Sequence, residues 1–401
     1  MSVIAKKVRP EEWGITQHVR TLEASIIREI LKITSQPNVI SFAGGLPAPE
    51  MFPITLLKRI APEVLEKYQD VAVQYSLSRG IVPLREILAE MAEKQGISAK
   101  VENIFITSGA QQAIELIARA FIEPGDYILT ENPTYLGALQ AFNFYRARYA
   151  TVEMDDDGMI VDKVEAQIKK YNPKLIYAIS NFQNPTGVTM TLERRQRLVE
   201  IAAEYNIPIV DDDPYGGIRF MGEPVPAMKS FGGDGVMSLG TFSKLIAPGF
   251  RIGWINAPDA AVAYFEKVKQ SADLHTSTLT QYIIFEFLKQ GLLDEHIENI
   301  KENYRAKREL MIKTMEETFP EGVTWTHPEG GLFLWVKLPE HLSAKELLPK
   351  AVAQKVAYVY GEPFYANGGG ANTMRLNFSN CTHEGIVEGI TRLSKILKEA
   401  I

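Results

Sequence analysis

The sequence has a single cysteine, Cys381, among 401 residues. An intramolecular disulfide is thereby excluded, and no cysteine or histidine spacing resembles a zinc site, so no metal is expected. No run reaches the roughly 18 apolar residues of a membrane span. Met1 to Pro10 carries Lys6, Lys7 and Arg9 without the apolar stretch that would follow them in a secretory leader. Together these absences predict a cytoplasmic protein in a reducing compartment. An excess of positive charge is also missing: 43 Lys and Arg against 49 Asp and Glu give a net charge of −6. Nucleic acid and anionic membrane are disfavoured as main partners, because either needs a broad positive field. Neither nucleotide fingerprint, the Gly-x-Gly-x-x-Gly turn nor the P-loop, is present. There are no internal repeats, and Gly368-Gly369-Gly370 is the only low-complexity patch.

What is present is the ordinary material of a globular protein, 46% hydrophobic and 23% charged, long enough for two or three domains. Short aliphatic runs alternate with helical periodicity, the pattern of an α/β protein with a mainly parallel sheet. Strands are predicted at Asn103 to Thr107, Tyr127 to Leu129, Leu175 to Ser180, Ile207 to Asp211, Val236 to Leu239 and Ile252 to Ala257. Thr191 to Tyr205 reads as a helix, with Leu198, Ile201, Ala202 and Tyr205 on one face and Thr191 as its N-cap. The long charged stretch Asp294 to Phe319 reads as a connector helix. Beyond it, strands at Gly331 to Leu338, Ala357 to Tyr360 and Met374 to Phe378 and a helix at Glu384 to Ala400 make a smaller α+β unit. A helix is expected over Thr21 to Thr34, before a turn-rich segment from Phe42 to Pro49. The expected division is an N-terminal arm over 1–45 that joins the small domain, a large domain over 46–285, and the connector with the small domain over 286–401.

Three segments carry chemistry. In Ile104 to Gln112 an apolar strand turns through Ser108 and Gly109 into a helix, directing free N–H groups and the positive helix end at an anion; an ordinary tight turn would look similar. In Ile207 to Tyr215 a central buried strand ends in Asp211, Asp212 and Asp213, at the carboxyl end where α/β sheets gather ligands. Alternation sends the middle carboxylate to the face opposite its neighbours, so the three should not share one role. A hard-metal site and a solvated acidic strand end are the competing readings. In Gly240 to Trp254, Lys244 lies among the hydroxyls of Thr241 and Ser243 and near Arg251, between two apolar strands. A lysine is usually a solvated charge, but a desolvated amine sheds its proton and becomes a nucleophile. Phosphate cradle, buried carboxylate and activated lysine are jointly what pyridoxal 5'-phosphate requires.

With these residues in order, the chain resembles the fold-type I pyridoxal-phosphate aminotransferases, and within them the 2-aminoadipate and kynurenine/aminoadipate group. The likeness runs from Ser25-Ile26-Ile27-Arg28-Glu29 through Phe42 to Pro53, Gln74-Tyr75-Ser76, Asn181 to Gly187 and Thr373 to Asn377. Thr241 for the commoner Ser and Pro214 for the commoner Ala are small departures. The resemblance implies a large domain with a mainly parallel seven-stranded sheet flanked by helices. It also implies that Lys244 holds the cofactor's aldehyde carbon and shuttles the proton of substrate Cα. Asp212 would pair with the ring nitrogen, Asn184 and Tyr215 with the phenolic oxygen, and Tyr135 with the ring face. Ser108, Gly109, Ala110, Gln111, Thr241, Ser243 and Arg251 would hold the phosphate, joined by Tyr75 from the neighbouring subunit of a homodimer. Arg375 would clamp the substrate α-carboxylate, with Asn184 and Gly45 beside it. Arg28 would pair with the distal carboxylate of glutamate or 2-aminoadipate, unless it is a surface arginine bridged to a glutamate. The implied partners are amino acids and 2-oxo acids such as 2-oxoglutarate. A β-lyase on the same scaffold is the alternative. A regulator with an aminotransferase-like domain would need a basic helix-turn-helix module, and only about 20 residues precede the first expected helix.

Overall fold

The structure, a computed structural model, describes residues 13–20, 22 and 38–401. Arg28 and, apart from Leu22, the helix expected over 21–34 lie outside the described residues. The main sheet runs in the order Ile104–Thr107, Gly253–Asn256, Val236–Thr241, Ile209–Asp212, Leu175–Ala178, Tyr127–Asn132, Arg148–Asp155 and Gly158–Met159. The five strands from Val236–Thr241 to Arg148–Asp155 are mutually parallel, while Gly253–Asn256 runs against both its neighbours. Seven strands are thus as expected, and the two-residue Gly158–Met159 adds an eighth by folding back on Met154 and Asp155. Strand Arg148–Asp155 escaped the sequence reading. It lies near the sheet edge with only Ala150 and Val152 fully buried, so it lacks the aliphatic run that marks a central strand.

Helices cover both faces. Ile114, Ile117, Ala138, Phe142 and Phe265 pack on Tyr177, Val210 and Leu239 from one side. Ile168, Leu198, Ile201 and Met228 pack on Ile176, Ile209 and Val236 from the other. Burying each such aliphatic or aromatic side chain is worth roughly 1.5–3 kcal/mol. The helix read at Thr191 to Tyr205 spans Leu192–Glu204 with Thr191 at its N-cap, although the threonine makes no side-chain cap bond.

The C-terminal part has its own antiparallel sheet, in the order Thr324–Trp325, Phe333–Lys337, Thr373–Asn377 and Val359–Tyr360. It is packed with helices Leu293–Thr318 and His383–Ala400. The single strand expected at Ala357 to Tyr360 is two. Val356–Ala357 pairs in parallel with Ile40–Ser41, and Val359–Tyr360 pairs with Thr373–Asn377. Tyr358 between them is fully buried, and its hydroxyl donates to Ala344 O at 2.7 Å. Pairing with Ile40–Ser41 draws the following turn inward. Phe42, Ala43 and Ala48 are buried in the C-terminal core, and Asn377 N donates to Phe42 O at 2.8 Å. Residues 43–45 thereby come to face the carboxyl end of the main sheet.

Candidate active site

Alternation along Ile209–Asp212 separates the three carboxylates as expected. Asp211 accepts from Ser180 Oγ at 2.8 Å, and Asp213 accepts from Asn181 Nδ2 at 2.9 Å and Gly216 N at 2.7 Å. Arg195, on the same side, favours the charged form of both. Asp212 points the other way, where Tyr177 donates to its Oδ2 at 2.7 Å. Its Oδ1 is buried with no hydrogen-bond partner among the described residues. Burial pushes the Asp212 carboxyl up to about 7; Tyr177 opposes the shift, and the nearby Asp213 and Asp211 add to it. A buried carboxylate with one vacant oxygen calls for a donor or a cation, and the ring nitrogen of a protonated pyridine is both. Among the described residues no group of histidine, cysteine and carboxylate side chains could hold a metal ion.

Lys244 follows the strand Val236–Thr241, and its Nζ donates to Gly45 O at 2.6 Å. Desolvation pushes the amine down to about 8, assisted by the positive charges of Arg375 and Arg251. At pH 7 roughly a tenth of such amines are neutral, against a few in ten thousand for a solvated lysine. Lys229 and Lys269 are buried lysines with lowered proton affinity too. They serve other ends. Lys229 is tied to the carbonyls of Gly233 and Val236, and Lys269 to Asp273 and Gln112.

The anion cradle forms where helix Ala110–Phe121 begins. Gly109 has φ +83°, and the first-turn N–H groups of Ala110 and Gln111 have no acceptor within the helix. A Cβ on Gly253 would stand 2.7 Å from Gly109 C, so glycine permits the close approach of the returning strand. Thr241 Oγ1 donates to Ser243 Oγ at 2.9 Å, Arg251 Nη1 to Ser243 Oγ at 3.3 Å, and Arg251 Nη2 to Ser108 O at 3.2 Å. Ser108, Thr241, Ser243 and Arg251 therefore converge with two backbone donors, a set suited to a phosphate. Three neighbours were not anticipated. Ser108 Oγ lies 3.2 Å from Asp273 Oδ2 and 3.3 Å from Thr276 Oγ1, and Ser108 N donates to Gln112 Oε1 at 2.7 Å. Asp273 and Thr276 come from a distant turn that nothing in the sequence marks, and Gln112 from the first turn of the helix itself.

Replacing Gly109 with alanine should weaken retention of a phosphate-bearing cofactor by about 10-fold. The new Cβ would sit 2.4 Å from Arg251 Nη2, at a positive φ that L residues rarely adopt. With ψ at 168° the backbone lies in a region that essentially only glycine occupies, which alone costs another residue roughly 1–3 kcal/mol. Titration of the apoprotein with pyridoxal phosphate checks the expectation, and unchanged affinity would contradict it.

Arg375, from strand Thr373–Asn377, is 1% exposed. Its Nη1 donates to Asn184 Oδ1 at 2.7 Å and its Nη2 to Ala43 O at 2.9 Å, while Phe333 lies under the guanidinium at 4.1 Å. Burial pulls this arginine down to about 10, and Nε is without a partner among the described residues. Its bonded partners are neutral, so the charge is set to receive a carboxylate from outside the chain. Asn184 Nδ2 is 3.5 Å from Tyr215 OH, and burial raises the Tyr215 phenol far above its ordinary range. Tyr135 donates to Gln111 Oε1 at 3.4 Å and is pushed up to about 12, by burial first and then by Asp212. Lys244, Gly45, Asp212, Asn184, Tyr215, Arg375, Tyr135 and the cradle thus surround one volume. Tyr75 stands apart: it is 79% exposed, and its ring meets His275 edge-on at 5.7 Å. A separate cleft of about 1000 Å³ opens on the Asp213 side, lined by Asn181, Arg219 and Arg305, and contains none of the residues that surround this volume.

The chain matches the family described as aminotransferase class I and II over residues 53–393. It is 49% identical over 385 residues to aromatic-amino-acid aminotransferase 1 of Thermococcus litoralis, covering 94% of this chain and 92% of that one. The solved structure of Pyrococcus horikoshii kynurenine aminotransferase, with PMP and kynurenine, superposes with a TM-score of 0.93 at 44% identity, covering 96% and 97% of the two chains. LysN, the α-aminoadipate aminotransferase of Thermus thermophilus, solved with a phosphopyridoxyl-leucine, gives a TM-score of 0.90 at 38% identity with the same coverage. The chain belongs to the class I and II aminotransferases, and it is a fold-type I transaminase that depends on pyridoxal 5'-phosphate.

Proposed function

We propose that this transaminase moves amino groups between L-amino acids with aromatic, aliphatic or dicarboxylic side chains, 2-aminoadipate and glutamate among them, and 2-oxo acids such as 2-oxoglutarate. The observation that carries the reading is Arg375, a buried guanidinium held by neutral partners next to Lys244 and Asn184. Any α-amino acid offers it a carboxylate, so this contact is indifferent to the side chain. The breadth is supported by relatives named for aromatic amino acids and 2-aminoadipate.

Bound pyridoxal phosphate supplies an aldehyde and an electron sink for the electrons of a breaking Cα–H bond. Asp212 would hold its ring nitrogen, Asn184 and Tyr215 its phenolic oxygen, and Tyr135 its ring face. Ser108, the N–H groups beyond Gly109 at Ala110 and Gln111, Thr241, Ser243 and Arg251 would hold its phosphate. Lys244 Nζ would secure the cofactor and carry the proton of Cα, while Gly45 O holds the amine in place and Arg375 orients the substrate carboxylate. Val71, Val73, Leu77 and Leu274 are large apolar side chains at least half exposed, in the neighbourhood of Tyr75. They support a homodimer with active sites at its interface, in which Tyr75 of a second copy completes the phosphate cradle. The division at 45 and 285 belongs to the same reading, supported by the burial of Phe42 and Ala43 in the C-terminal core. So does a cytoplasmic location; no described helix is long and apolar enough to cross a membrane.

A single-turnover spectral screen of the twenty amino acids, 2-aminoadipate and kynurenine tests the proposal. Aromatic, aliphatic and dicarboxylic substrates should each deplete the band of the bound cofactor, and 2-oxoglutarate should restore it. A protein unmoved by every amino acid would contradict the proposal, and steady release of ammonia without a 2-oxo acid would mark a lyase instead. Arg28→Ala should cost 2-aminoadipate and glutamate roughly 10-fold or more in kcat/KM, the scale of one charge-assisted hydrogen bond. Leucine and phenylalanine should change little. Equal losses across all four would remove Arg28 from substrate selection.

A further inference from the structure

Tyr177 lies in the centre of the main sheet, fully buried, with its ring edge-on to Phe142 at 5.6 Å. Its register partner is Val210, so strand alternation places Tyr177 on the same face as Asp212 two residues further on. A phenylalanine would fill this space equally well. The hydroxyl is therefore the informative part, since burying it is costly unless it finds a partner, and the partner here is Asp212 Oδ2 at 2.7 Å.

We propose that Tyr177 is a positioning residue for the cofactor's ring nitrogen: by donating to Oδ2 it fixes the Asp212 carboxylate so that Oδ1 is left for that nitrogen. The inference rests on the reading of Asp212 as the ring-nitrogen partner. Its geometric basis is the division of labour between the two oxygens, one bonded to Tyr177 and the other buried without a partner. The electrostatics agree. Burial and the carboxylates of Asp213 and Asp211 favour a proton on Asp212, whereas the Tyr177 hydrogen bond favours the carboxylate. Burial, followed by Asp212, raises the Tyr177 phenol well above its ordinary value, so the shared proton stays on the tyrosine. An ionised Asp212 in a fixed rotamer can keep the ring nitrogen protonated; a neutral or rotated one cannot.

The test compares Tyr177→Phe, Asp212→Asn and the double variant with the parent holoenzyme. Two quantities are read: the dissociation constant for pyridoxal phosphate, and the 15N chemical shift of the ring nitrogen in labelled cofactor. Tyr177→Phe keeps the ring and its contact with Phe142, and thermal melting of each apoprotein verifies that it folds. The single tyrosine change should weaken cofactor binding by roughly 10-fold, the scale of one hydrogen bond to a buried charge, and move the nitrogen signal toward that of neutral pyridine. In the Asp212→Asn background the same change should cost less than about 2-fold, because Tyr177 acts through the carboxylate. Equal losses in both backgrounds with an unmoved nitrogen signal would reduce Tyr177 to packing and overturn the inference. If Asp212→Asn alone leaves the signal unmoved, the assignment of Asp212 itself fails, and the role of Tyr177 with it.

Discussion

Replacing Lys244 with alanine is expected to lower kcat by roughly 10⁴-fold and to abolish the visible band of the bound cofactor. The size follows from the two tasks proposed for this one amine, securing the aldehyde carbon and carrying the proton of Cα, and general acid–base work alone is worth roughly 10²–10⁴-fold. The structure explains why this lysine suits both. Desolvation and the charges of Arg375 and Arg251 hold it near a pKa of about 8. Because those influences disfavour the charged form, the neutral amine accumulates as pH rises through about 8. Capture of pyridoxal phosphate by the apoprotein should speed up over that range and level off above it. A rate still climbing past pH 10 would show an ordinary solvated amine. Arg375→Ala removes one of the charges and should move the midpoint upward. Stopped-flow absorbance measures both effects.

Arg375→Ala itself should reduce kcat/KM by roughly 10²–10³-fold for every amino acid, whatever its side chain, with most of the loss in KM. Removing one partner of a buried charged pair costs about 3–5 kcal/mol, and here the missing partner is the one proposed to receive the α-carboxylate. Arg375→Lys restores charge without the planar fork, and should recover only part of the loss. The uniformity separates this residue from Arg28, whose replacement should penalise dicarboxylic substrates alone. A loss confined to one substrate class after Arg375→Ala would contradict its role as the common clamp. Thermal melting is the companion measurement, because Asn184 Oδ1 and Ala43 O lose their donor in the same variant.

Part of the candidate site was legible in short, directional motifs, whereas Tyr135, Asn184, Tyr215 and Arg375 entered only through the family resemblance. Gly109 at a strand-to-helix turn, carboxylates at the end of a central strand and a lysine between buried strands are local signatures, and alternation alone predicted that Asp212 would part from Asp211 and Asp213. What escaped reading is what depends on long-range pairing. The separate partnerships of Val356–Ala357 and Val359–Tyr360 arise because Ile40–Ser41 joins the first of them, a contact more than 300 residues apart in sequence. Strand Arg148–Asp155 was hidden by its edge position. Tyr177, Asp273 and Thr276 carry no local signal, because only the register and the fold bring them to Asp212 and Ser108. Tyr75 is a different case: within one chain it faces outward, and the role proposed for it would require a second copy.

The central claim is that Lys244, one of three described lysines with lowered proton affinity, is the one that binds the cofactor. Borohydride reduction of the holoenzyme, followed by peptide mapping with mass spectrometry, tests it most directly. The account predicts one reduced phosphopyridoxyl group per chain, on the peptide containing Lys244. The label on Lys229, on Lys269 or on no lysine would contradict it.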